Sequence, residues 1–115
     1  MINWIQTRLD IATSVTIPGE GLSAERHDRM RGERTGFVLA LINAQNQFRA
    51  FPDNFQAWLD HELNNPVNFQ PSTLFNTNFL RGHNIGYQKA LNECRTRLTH
   101  ELDWAETRAR LHRDF

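Results

Sequence analysis

The chain has 115 residues, thirteen basic and thirteen acidic, and one cysteine. That length suits a single domain with its own core, residues 1–115, and the lone Cys94 excludes an internal disulfide framework. Balanced charge argues against nucleic-acid binding through bulk electrostatics, and no run approaches the ~18–20 apolar residues of a membrane helix.

The opening "MINWIQTRLDIATSVTIPG" carries Trp4, Ile5, Leu9 and Ala12 at helical spacing over residues 2–14. It lacks the basic and long apolar regions of a signal peptide, so a cytoplasmic protein is expected. "TIPGEG" (16–21) stops this helix with Pro18, Gly19 and Gly21. Ser23 is placed to cap a second helix, about 23–49, which "AFPDNF" breaks at Pro52. Asp53 with Gln56 predicts a capping box opening a short third helix over 54–63. "NNPVNFQPS" (64–72) reads as an irregular connection, after which Ser72 is placed to cap a long last helix, about 72–112. No stretch alternates as a strand. The expected fold class is all-α, a bundle of about four helices with a central second helix.

The segment "RGERTGFVLAL" (31–41) returns as "RGHNIGYQKAL" (81–91), and the match extends over 30–48 and 80–98. At 100° per residue, Met30, Phe37, Leu41, Ala44 and Phe48 lie within about 60° of one another, as do Leu80, Tyr87, Leu91, Cys94 and Leu98. Beside each stripe runs a row of small residues: Gly32, Gly36, Ala40 and Ala44, then Gly82, Gly86, Ala90 and Cys94. Glycine inside a helix costs ~1 kcal/mol relative to alanine. Close approach of a second backbone would offset that cost, so the two rows are expected to pack against each other. The second helix adds Val38, Leu39 and Ile42, whereas the last helix has Gln88, Lys89 and Asn92 there. That contrast places the second helix at the centre and the last at the rim.

Twelve of the thirteen basic residues are arginine. Arg31 and Arg81 each precede the first glycine of a copy, which raises a nucleotide-type anionic ligand as an alternative function, although on the helical wheel both point away from the apolar stripe. The histidines lack metal spacing, and His83 shares a face with the glycine row, where a packed histidine is expected. No nucleophile elbow or glycine-rich phosphate loop is present, so neither enzyme activity nor a cofactor is expected. Arg95, Arg97, Arg108, Arg110 and Arg113 alternate with Glu93, Glu101, Asp103, Glu106 and Asp114, the mixture of a solvated helix. It weakens the third reading, a DNA-associated regulator.

Trp104 and Leu111 lie on a second apolar face of the last helix, with His100 between them in angle. Phe69 and Phe75 belong to the aromatic segment 51–79, which is expected either to plug the bundle or to meet a partner. In general character, short and arginine-biased with no catalytic motif, the chain is similar to small accessory proteins encoded by phages and other mobile elements. The likeness transfers no residue. The leading expectation is a protein-binding module that inhibits or bridges a protein target, as a homodimer, through His100, Trp104, Leu111, Phe69 and Phe75.

Overall fold

The computed structural model describes residues 1–15, 17, 21, 23–66 and 77–114. These form α1 (Ile2–Ser14), α2 (Ala24–Ala50), α3 (Phe55–Asn64) and α4 (Thr77–Asp114), with a 3-10 turn at Pro52–Asn54 before α3. No strand occurs among the described residues, and the fold is a small all-α bundle.

Local chemistry explains most of the helix ends. The Ser23 hydroxyl accepts the Arg26 amide at 3.2 Å, as a helix cap should. At the other end of α2 the Phe51 amide donates to the Gln47 carbonyl at 2.8 Å, and Pro52 then opens the 3-10 turn. Here the expected capping box fails. Asp53 is drawn into the turn, Asn54 takes the cap position of α3, and no side chain caps that helix. The expected Ser72 cap lies outside the described residues.

Glycine contacts give the helix directions. A side chain at Gly32 would run into the Phe79 carbonyl, and one at Gly36 into the His83 carbonyl. Conversely, Gly82 faces the Arg29 carbonyl and Gly86 the Glu33 carbonyl. Residue numbers rise together along both helices, so α2 and α4 run parallel and cross backbone to backbone. α1 runs against them: Gln45 donates to Gln6 at 2.7 Å, Arg8 to Glu93 at 3.0 Å, and the N-terminal ammonium meets Glu101 at 3.2 Å.

The core is Ile5 and Leu9 from α1, Phe37, Ala40, Leu41 and Ala44 from α2, Phe55 and Leu59 from α3, and Tyr87, Ala90, Leu91 and Cys94 from α4. Each fully buried leucine contributes about 1.5–3 kcal/mol relative to exposure. Phe55 meets Phe48 edge-on at 5.2 Å and stacks on Trp58 at 5.8 Å, so these members of the aromatic segment close the bundle. α2 is central, as its sequence implies. α4 is not at the rim, however. Up to Leu98 it shares the centre, because its glycine row buries the same positions that the α2 row does.

Equivalent environments recur at an offset of 50 well outside the two glycine segments. Ile5 and Leu9 of α1 are buried where Phe55 and Leu59 of α3 are buried. Their sequences, "IQTRLD" (5–10) and "FQAWLD" (55–60), share Gln, Leu and Asp. α1 with α2, and α3 with α4, are thus two helical hairpins related by a pseudo-twofold axis through the glycine crossing. α2 ends at Ala50, whose counterpart is His100; α4 continues for another fourteen residues.

Candidate functional site

Three places in this frame carry chemistry or exposed apolar surface: the crossing, the grooves beside it, and the far end of α4.

At the crossing, Gly32, Gly36, Ala40 and Ala44 face Gly82, Gly86, Ala90 and Cys94, and all eight are buried. His83 is packed there too. Its ring lies 6.2 Å from Phe79 and 6.5 Å from Tyr87, centroid to centroid. Burial holds its imidazole below the ordinary histidine range, which favours the neutral form. Burial also pushes the Cys94 thiol up to about 12, with the neighbouring Glu93 carboxylate adding to the effect. A thiol held protonated is a poor nucleophile, so Cys94 acts as a small packing residue.

The grooves differ across the pseudo-twofold axis. On one side Asn43 donates to the Tyr87 hydroxyl at 3.0 Å, above Trp58. At the equivalent place on the other side, Phe37 has no hydroxyl, and Glu93 stands where Asn43 does. Arg8, the counterpart of Trp58, lies over the Phe37 ring at 5.5 Å and binds Glu93 at 3.0 and 3.3 Å. The pair is half-exposed, so its contribution is at most about 1 kcal/mol. The α1/α4 side is the more open: a groove of about 1230 Å³ runs past Trp4, Arg8, Ile85, Gln88, Lys89 and His100. The Trp58 side holds about 400 Å³.

Arg31 and Arg81, proposed from sequence as an anion clamp, are both exposed and line neither of these two grooves. The Arg31 guanidinium lies 5.7 Å over the Phe79 ring and 4.0 Å from Asp28. No group of three or more His, Cys, Asp or Glu side chains suited to a metal occurs among the described residues.

The far end of α4 is a free arm. From Leu102 to Arg113 every residue is exposed. Trp104 is 55% exposed, Leu111 50% and Leu102 49%. Trp104 does not fold onto α1 or α3; its ring carries the Arg108 guanidinium at 5.6 Å. The stripe that packs α4 against the bundle through Leu91, Cys94 and Leu98 continues into the arm as Leu102, Ala105 and Ala109, starting two residues beyond His100, the counterpart of the last residue of α2. His100 stands at the arm's base, on the rim of the large groove. Phe51, the first residue past α2, is exposed at the same end of the bundle. Phe69 and Phe75 lie outside the described residues.

Sequence reasoning located the crossing, and it placed Trp104 and Leu111 on a second apolar face of α4, which the structure leaves exposed. It missed the Arg8–Glu93 bridge, whose partners lie 85 residues apart with no local signature. It also missed the first-half match of the hairpins, although "QTRLD" and "QAWLD" stand at the same offset of 50 as the glycine segments.

No helix among the described residues is long and apolar enough to cross a membrane. No protein-family model, curated protein or solved structure matches the chain.

Proposed function

We propose that the chain is a protein-binding module in which the α1–α4 bundle is the scaffold and the α4 arm is the binding element. The observation that carries this reading is the unpartnered arm. A helix of fourteen residues is marginal in water on its own, yet this one projects with Leu102, Trp104 and Leu111 in solvent. Exposed tryptophan and leucine at helical spacing suit docking against another protein, where aromatic anchors contribute most of the affinity. A module of this kind acts by occluding or bridging its target, as an inhibitor or adaptor of the kind small accessory proteins of mobile elements provide.

The test is affinity capture with wild type and with Trp104→Ala/Leu111→Ala, alongside thermal melts of both. The expected result is loss of the captured protein with an unchanged melting temperature, because neither side chain packs on the bundle. A variant that captures the same protein equally well would rule the arm out as the binding element.

A further inference from the structure

Resting on the reading of the arm as a binding element, we infer that its occupant is the arm of a second copy, laid antiparallel along the apolar stripe. Charge supplies the argument. Residues 101–106 carry Glu101, Asp103 and Glu106 with no base, and residues 107–114 carry Arg108, Arg110 and Arg113 against the single acid Asp114. Two such arms side by side in parallel would set acid on acid and base on base. Antiparallel, each acidic half lies against the other copy's basic half. Charge patterns of this kind fix orientation and reject alternatives more than they add affinity.

The order of charges also serves the helix internally, since Glu106 accepts from Arg110 at 3.1 Å one turn on. That internal role leaves the stripe of Leu102, Ala105 and Ala109 in water. Antiparallel pairing covers it, and the two alanines let the helices approach closely. The pairing starts where the bundle's own contacts stop. Glu101 is held by Arg97 at 3.1 Å and by the N-terminal ammonium, which fixes the arm's base to the bundle. Beyond it, the arm's own contacts are the exposed Glu106–Arg110 pair and Arg108 over Trp104, side chains already in solvent that can turn toward another copy.

Two measurements test this. Sedimentation equilibrium of the full chain is expected to show a monomer–dimer equilibrium that weakens with added salt, as screening of opposed charges requires. Asp103→Arg/Glu106→Arg is expected to weaken association at least about tenfold, and so is Arg108→Glu/Arg110→Glu/Arg113→Glu; an equimolar mixture of the two restores a heterodimer.

The second measurement leaves the arm's charges untouched. A nitroxide on Thr99→Cys, at the arm's base, is mixed with isotope-labelled wild type; buried Cys94 is left unmodified. Broadening of the partner's amides over 108–113 is expected. A wild type that stays monomeric at millimolar concentration would overturn the inference. So would broadening centred on 99–104, which is the parallel arrangement, or a dimer indifferent to both charge reversals. Failure here is separable from failure of the broader reading: a monomer whose target capture still depends on Trp104 and Leu111 loses only the self-pairing. A dimer that captures nothing loses only the external target.

Discussion

Replacing Gly86 with alanine sets two effects of opposite sign against each other. In a helix interior the substitution is intrinsically favourable by ~1 kcal/mol, because alanine restricts the unfolded backbone. In this fold the added Cβ would strike the Glu33 backbone: the carbonyl oxygen directly, the carbonyl carbon at 2.7 Å and Cα at 3.0 Å. Ordinary contact begins near 3.4 Å, so α2 has to retreat by about 0.7 Å or more, and a main chain inside a helix cannot rotate aside. Overpacking of this kind costs ~1–3 kcal/mol, and the obstacle being backbone places Gly86 at the upper end. The net expectation is a loss of about 1–2 kcal/mol, or roughly 4–8 °C in melting temperature for a chain of this size.

Gly36→Ala should behave alike, since it meets the His83 carbonyl in the mirrored position. Once one substitution has parted the helices, the second adds less strain and keeps its helix-propensity gain, so the double variant should lose less than the sum of the singles. Urea and thermal melts of the two singles, the double and an exposed control, Thr35→Ala, provide the measurement. Melting temperatures that stay level or rise in both glycine singles would refute the close crossing of α2 and α4.

Four further outcomes follow from the same packing. Leu41→Ala, at 0% exposure, should cost about 2–5 kcal/mol, whereas Leu102→Ala, on the same kind of stripe but in the arm, should stay within about 0.5 kcal/mol in dilute solution; equal losses would place the arm inside the fold. Cys94 should react with an aromatic disulfide reagent only on unfolding, because its thiol stays protonated and buried; fast modification of native protein at neutral pH would contradict that. His83 titrates below its unfolded value, so the unfolded chain takes up its proton first as pH falls. Stability from this group is therefore full above the unfolded histidine pKa and declines as pH drops through and below it, and His83→Asn should flatten that part of the profile. Gly21 has φ +78° with open space around it, so Gly21→Ala should cost on the order of 1 kcal/mol from backbone strain alone, read by the same melts.

Much of the architecture was legible in residues whose roles are local or periodic. Ser23 marked a helix start because its hydroxyl reaches an amide only three residues on. The two glycine rows marked the crossing because nothing but a neighbouring backbone repays glycine in mid-helix. What could not be read depended on partners remote in sequence. Val38, Leu39 and Ile42 suggested that α2 alone was the hub. In the fold Val38 and Leu39 are half-buried and Ile42 is exposed, because the pseudo-twofold axis gives α4 an equal share of the centre. Asp53 failed as a cap because Pro52 started a 3-10 turn one residue earlier. Arg31 and Arg81 looked like a pair in the alignment, yet each stands on the outside of its own helix. For Trp104 the sequence left folding inward and facing outward equally open, and the end of α2 at Ala50 decided it: no helix among the described residues extends far enough to cover the indole.

α4 is one unbroken helix from Thr77 to Asp114, so the direction in which Trp104 faces is set by glycines five turns and more away. Each residue advances the helix by 100° and 1.5 Å. One alanine inserted between Thr99 and His100 would keep the glycine crossing, carry Glu101 away from Arg97 and the N-terminal ammonium, and swing everything beyond it through more than a quarter turn. Seven inserted residues would return the arm nearly to its original phase, about 10 Å farther out. The chain therefore aims its outermost tryptophan by counting residues from the crossing.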